Sequence, residues 1–211
     1  RKKEYMKALY IDNIIKRKTN PIFTQIWLEK GYTVGIAANL SEVDEKLKNE
    51  SINYYHIDLK RNPFSIQNIK AYKQMLALLK TEKYDVVHCN SPIGGILGRL
   101  CGKKANVTKI IYTAHGFHFY KGAPLINRTL FKWAEMWMAH YTDAIITMNE
   151  EDYRAAQKFK LRNNGKVYFI HGVGVDTKIY QVNNVNKDEL KNSLGLKQDD
   201  IVLISMGELI R

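Results

Sequence analysis

Residues 84–104 read YDVVHCNSPIGGILGRLCGKK, and the change of pattern at Asn90 decides the architecture. Before it, Val86 to Cys89 form a short run without polar alternation, as a strand covered on both faces does. After it, Ser91 is placed to cap a helix whose first residue is Pro92, and Gly94 and Gly95 clear its first turn of side chains. Two readings of the glycines stay open. Bare backbone N–H groups would let an anion or a sugar approach the helix start, or the helix simply lies close on a sheet. The stretch lacks a full phosphate-binding loop.

The same strand-then-helix unit recurs outward in both directions. KALYIDN (7–13), YTVGIAAN (32–39), INYYHIDL (52–59), KIIYTAH (109–115), DAIITMN (143–149) and KVYFIHG (166–172) are further β-rich apolar runs. Helical patterns fill most gaps. In PIFTQIWLEKG (21–31) a proline opens the first turn, Gly31 stops it, and Ile22, Ile26 and Trp27 share a face. SEVDEKLKNE (41–50) has Ser41 as N-cap with Asp44 three residues on. FSIQNIKAYKQMLALLKTEK (64–83) sets Ile66, Ile69, Tyr72, Leu76 and Leu79 on one side. Alternation of this kind predicts an α/β fold with a doubly wound, Rossmann-like parallel sheet.

Bulk composition sets limits. With 211 residues of which 45% are apolar, the chain can bury a sizeable core. No apolar run approaches the roughly 18 residues that cross a bilayer, and RKKEYMKALYI has no signal-peptide core, so the expectation is a cytoplasmic protein. Cys89 and Cys101 read as reduced, buried thiols. The formal net charge is +12 and is uneven: Val86 to Ala134 contains no acid, while Arg99, Lys103, Lys104, Lys109, Lys121, Arg128 and Lys132 lie inside it. A second basic cluster, Arg1, Lys2, Lys3, Lys7, Lys16, Arg17 and Lys18, sits near the amino end. Such a field attracts nucleotide phosphates, nucleic acid or an anionic membrane, unless it is only a solvated basic surface. A nucleic-acid-binding module would interleave lysines with exposed aromatics. Here the aromatics fall in buried-looking elements and no nucleic-acid motif is present.

In open parallel sheets ligands bind at the carboxyl ends of strands. Three such ends are unusually polar: HCNSPIGG, AHGFHFYKG and MNEED. His115 ends its strand and Gly116 frees the backbone, so the imidazole is expected in a cleft, contacting a ligand or reacting group; a histidine satisfied by backbone groups is the plainer alternative. A metal held by His115, His118 and either His88 or Cys89 lacks the spacing of a zinc site, and none is expected. LINRTLFKWAEMWMAHY (125–141) carries Ile126, Leu130, Trp133, Trp137 and Tyr141 along one stripe with Arg128, Lys132 and Glu135 opposite. The default is a core-facing helix; contact with a membrane surface or a lipid-linked ligand is the alternative. Beyond residue 171 come a glycine-rich turn, a polar stretch, a short amphipathic helix and then IVLISMGELIR (201–211), a lone strand that cannot bury itself, which reads as the start of a missing second domain.

Taken in order, VVHCNSPIGGILGRL, IIYTAHGFHFYKGAP, ITMNEEDYRAAQKF, VYFIHGVGVDTKIY and ISMGEL resemble the amino-terminal half of a family 4 glycosyltransferase of the GT-B fold, and bacterial enzymes of capsular or exopolysaccharide synthesis above all. The resemblance implies an acceptor-side domain over residues 1–172, a crossover over 173–200, and the first strand of a nucleotide-sugar domain over 201–211. It implies retaining transfer from a nucleotide sugar to a saccharide or lipid-linked acceptor, without a bound metal. The basic surface of Lys103, Lys104, Lys121, Arg128 and Lys132 is expected to bind an anionic membrane, and no nucleic acid is expected as a partner. His115 matches the histidine beside the donor sugar. Ser91, Gly94, Gly95, Gly116, His118, Lys121 and Glu150 are the expected substrate-binding residues, and Gly207, Glu208 and Arg211 match the donor-diphosphate loop. The chain alone is expected to be inactive. Other readings are a GT-B nucleotide-sugar epimerase or hydrolase and a basic nucleic-acid-binding module.

Overall fold

The structure, a computed structural model, describes residues 6–15, 22–41, 43, 49–172, 174 and 186–204. The expected cap at Ser41 with Asp44 depends on residues outside this set. The seven apolar runs form seven strands: β1 (Lys7–Ile14), β2 (Thr33–Asn39), β3 (Ile52–His56), β4 (Val86–Cys89), β5 (Lys109–Ala114), β6 (Ala144–Thr147) and β7 (Lys166–Phe169). All pair in parallel in one sheet of order β3-β2-β1-β4-β5-β6-β7. The order reverses between β1 and β4, which makes the sheet doubly wound, as its sequence predicts. The connecting helices are α1 (Ile22–Glu29), α2 (Gln67–Glu82), α3 (Pro92–Lys104), α4 (Lys132–Ala139) and α5 (Glu150–Ala156), with a π-helical turn (Asn127–Phe131) running into α4.

Strand alternation divides the buried residues into two cores. Leu9, Ile11, Val87, Cys89, Ile110 and Tyr112 face α2 and α3, while Tyr10, Val34, Ile36 and Ala38 face α1. In α1 the packed residues are Phe23, Trp27 and Leu28, and Ile26 is exposed. In α2 they are Ala71, Tyr72, Met75, Leu76 and Leu79, with Ile66 and Ile69 exposed. In both helices the apolar count alone misplaced one edge of the buried face, because exposed isoleucines extend the stripe into solvent.

Helix α3 lies unusually close to the sheet. A Cβ on Gly98 would come within 2.5 Å of Cys89 Sγ, one on Gly95 within 2.6 Å of Tyr112, and one on Gly102 within 2.9 Å of Ile110. The same closeness buries Arg99 completely. Its guanidinium stacks 3.9 Å over the Tyr112 ring, donates from Nε to Gly95 O at 2.9 Å, and pairs with Glu135 at 2.8 Å. Arg99 therefore belongs to the interior and not to the basic surface. Lys103 and Lys104 are exposed at the end of α3, and Lys121, Arg128 and Lys132 are exposed in the segment after β5.

Glu135 turns α4 over. Of the expected polar face Glu135 reaches inward while Arg128 and Lys132 stay exposed, and most of the expected core stripe points outward: Trp133 is 69% exposed, Ile126 60%, Leu130 53% and Trp137 51%, with only Tyr141 half-buried. The chain divides into two compact units, Arg1–Val173 and Gly174–Arg211. In the second, α6 (Lys187–Ser193) is capped by Asn186 Oδ1, which accepts from Asp188 N at 3.1 Å and Glu189 N at 3.4 Å. Residues 201–204 join no sheet among the described residues, and Ile201 and Leu203 are almost wholly exposed. A strand has no ladder without a neighbour.

Truncating Glu135 to Ala leaves a buried guanidinium without its carboxylate. Urea denaturation is expected to show a loss of about 3–5 kcal/mol, whereas Arg99→Met combined with Glu135→Leu recovers most of it.

Candidate active site

The topological switch places the carboxyl ends of β1 and β4 side by side, with β5 next to β4. Regular pairing of β1 with β2 breaks between Ile11 and Ile14, which lets Asp12 and Asn13 turn toward β4. Asn13 N–H donates to Asp12 Oδ1 at 2.6 Å and to Ser91 Oγ at 3.1 Å. Asn13 Oδ1 accepts from Gly94 N at 2.9 Å. The cap of α3 thus comes from β1. Ser91 occupies the N-cap position in a left-handed conformation, φ 59°, but its side chain makes no cap bond and donates to Asn90 O instead. Gly95 N bonds to Ser91 O at 2.8 Å. With both amides engaged, and a Cβ on Gly94 falling 2.9 Å from Ser91 Oγ, the glycines serve close packing. A ligand reaching the Gly94 amide must displace Asn13.

His115 stands exposed at the mouth of β5, and its Nε2 lies 3.0 Å from Asn90 Oδ1. Asn90 is buried and donates from Nδ2 to the Tyr10 hydroxyl, which lies 3.5 Å from Asp12 Oδ2. A polar chain therefore crosses from β1 through β4 to β5. Burial pushes the Asp12 carboxyl up from its ordinary range, against the hydrogen bond from Asn13 N–H and the nearby charge of His115. Burial, and secondarily Asp12, pushes the Tyr10 hydroxyl well above its ordinary value, so it remains a donor. Beneath them His88 bonds Thr113 Oγ1 at 2.7 Å and packs its ring on Phe23 and Tyr10.

Gly116 carries φ 137° with open space where a Cβ would sit, so it is needed for its backbone. The loop after it is pinned by α5: Phe117 N donates to Asp152 Oδ2 at 3.0 Å and Lys121 N to Glu151 Oε1 at 2.6 Å. Asp152 is itself held by Asn149, whose Oδ1 accepts from Asp152 N at 2.8 Å and whose Nδ2 donates to Asp152 Oδ2 at 2.8 Å. His118 is exposed and rests edge-on against Phe131, 5.8 Å between ring centres. Beside it a cavity of about 190 Å³ is lined by Arg61, Ile93, Ile96, Phe117 and Phe131. Glu150, the first residue of α5, is paired with Arg154 at 2.7 Å.

The structure brings His115, Gly116 and Ser91 together. It places His118 and Lys121 along the following loop and commits Glu150 to a salt bridge on α5. Gly207, Glu208 and Arg211 lie outside the described residues. Four participants went unread in the sequence: Tyr10, Asp12, Asn13 and Asn90. Asp152 was also missed, although the Asn149-x-x-Asp152 spacing is a capping-box signal. Among the described residues no group of three or more His, Cys, Asp or Glu is close enough to hold a metal ion. His88 faces α1 whereas Cys89 faces α3, so they cannot share a ligand. Both thiols are pushed up to about 12 by burial.

Residues 20–149 match the model of the family described as Glycosyl transferase 4-like. The chain belongs to this family. EpsD of Bacillus subtilis (strain 168), named as a glycosyltransferase, is 40% identical over 87% of this chain and 48% of its own length. An Escherichia coli protein named UDP-Gal:alpha-D-GlcNAc-diphosphoundecaprenol alpha-1,3-galactosyltransferase is 34% identical over 71% of this chain and 38% of its own. The chain thus spans about half, or less, of the length of these curated relatives. Sucrose-phosphate synthase from Thermosynechococcus elongatus superposes with a TM-score of 0.60 at 14% identity, over 93% of this chain and 54% of that one, which shows a shared fold.

His88 gives the site a measurable acid sensitivity. Burial, then the charge of His115, lowers its imidazole from 6.5 to about 3. Between those values the unfolded chain binds a proton that the folded chain refuses, so stability falls as pH drops from 6.5 toward 3. Calorimetry at pH 7.5 and 4.5 should show a smaller loss of Tm in His88→Gln than in the parent.

Proposed function

We propose that this chain is the acceptor-side half of a retaining glycosyltransferase, which moves a sugar from a nucleotide-sugar donor to a lipid-linked acceptor in bacterial surface polysaccharide synthesis. The observation that carries the reading is the convergence of β1, β4 and β5 on an exposed, hydrogen-bonded His115 at the switch point, where open parallel sheets bind ligands. The E. coli relative's name couples a UDP-sugar with a diphosphoundecaprenol-linked sugar, which supports both substrate classes. A second domain following residues 1–172 and a crossover over 173–200 would hold the nucleotide, a division in keeping with relatives about twice as long. His115 would then contact the transferred sugar or the departing diphosphate, with Gly116, His118 and Lys121 facing the acceptor.

The outward stripe of α4 favours work at a membrane. No helix among the described residues is long and apolar enough to cross one. Leu125, Ile126, Leu130, Trp133 and Trp137 are exposed together, with the exposed cations Lys121, Arg128 and Lys132 in the same stretch. Apolar and aromatic side chains rimmed by cations fit the boundary of an anionic bilayer, on the cytoplasmic face where nucleotide sugars are made.

Two experiments test this. In the full-length enzyme, His115→Ala should lower transfer to a lipid-linked acceptor by about a hundredfold or more with the thermal melt unchanged, and His118→Ala should cost less. Release of free sugar at an undiminished rate without acceptor would instead support a hydrolase. For the membrane, sedimentation with phosphatidylglycerol vesicles should capture the parent chain, and Trp133→Ser with Trp137→Ser should abolish most of the capture. Equal binding to neutral vesicles would reject the anionic surface as partner.

A further inference from the structure

The chain of polar groups behind His115 has a direction, and the direction fixes a proton. An ionised carboxylate only accepts hydrogen bonds, so the contact between Asp12 Oδ2 and Tyr10 makes the Tyr10 hydroxyl the donor. The Tyr10 oxygen is then left to accept, which orients the Asn90 amide with Nδ2 toward Tyr10 and Oδ1 toward β5. An amide oxygen also only accepts. The group 3.0 Å away, His115 Nε2, must therefore carry the hydrogen, and in a neutral imidazole the lone pair resides on Nδ1. Asp12 and His88 are the titratable groups whose electrostatics couple directly to His115. No bond occupies His115 Nδ1 among the described residues.

We infer that Asn90 is a positioning residue: oriented by Tyr10 and Asp12, it holds the Nε2 proton of His115 and so presents Nδ1 as a hydrogen-bond acceptor for a substrate hydroxyl at the strand ends. This rests on His115 facing the sugar as proposed above and narrows its part. A neutral imidazole with Nδ1 outward suits a hydroxyl donor, and it offers no proton to a departing diphosphate. Tyr10 reaches the substrate side only through Asn90, and it acts by stopping the amide from turning round.

The tautomer can be read without any assay of transfer. In the 211-residue chain labelled with ¹⁵N-histidine, ring nitrogen shifts at pH 8 report which nitrogen carries hydrogen, with His115 assigned by loss of its signals in His115→Gln. The parent is expected to show Nε2–H and a bare Nδ1. Tyr10→Phe, which frees the amide to flip, and Asn90→Leu, which removes the acceptor, should move the shifts toward the mixture of a free imidazole. Asn90→Asp keeps an acceptor and should hold them. If Asn90→Leu does not fold, the conservative Tyr10→Phe still decides. Parent shifts that already match the free mixture, or that Tyr10→Phe leaves unmoved, overturn the inference. In the full-length enzyme Tyr10→Phe should lower kcat several-fold with little change in KM, and an altered tautomer with unaltered kcat removes the positioning assignment. Undiminished transfer by His115→Ala strikes the proposed function instead and leaves the tautomer result standing.

Discussion

A buried guanidinium governs the arrangement of half the molecule. Moving Arg99 out of water is costly by itself, and the cost is offset in part by a carboxylate, a stacked ring and a carbonyl within reach, while Nη2 has no hydrogen-bond partner among the described residues. Because Val86 to Ala134 contains no acid, the first carboxylate available after α3 is Glu135. In α4 Glu135 faces inward with Met138 and Ala139, and Trp133 and Trp137 face outward. The glycines of α3 belong to the same arrangement, since only a helix free of side chains on one face brings Arg99 onto Tyr112.

Much of this was legible from the chain alone and some was not. Strands without alternation, punctuated by helix starts, specify an all-parallel sheet because only burial on both faces tolerates such runs. His115 was legible for the same reason, as the polar end of a buried strand. The orientation of residues 125–141 was not legible. An amphipathic pattern shows that a helix has two faces, and which of them is inside depends here on a cation 36 residues earlier, seen only when the sheet is assembled. Asn13 escaped notice for a related reason. Capping rules look one residue upstream and point to Ser91, whereas the donor at Gly94 is satisfied from 81 residues away.

Long-range substitution also explains why the site is precise. A serine cap would have tied the start of α3 to its own turn. A cap from β1 ties it to the neighbouring strand, so Asn13 and Asn90, one on each side of the switch, are fixed by the sheet register that aligns Ile11 with Cys89. Side chains mounted on strand ends inherit the stiffness of the ladder, which loop residues lack. His115 and Gly116 lie exposed beyond the end of β5, with His115 tied back through Asn90.

The segment after β5 is held from several sides. Asn90 holds its first residue, Asp152 and Glu151 hold the backbone of Phe117 and Lys121, and Arg99 holds Glu135 beyond the π-helical turn. Between these fixed points lie the cavity beside His118 and the outward stripe. Trp133 and His115 thus belong to one restrained stretch of chain within one compact unit. The spacing between His115 and Trp133 is then set by the acids and amides that hold this segment.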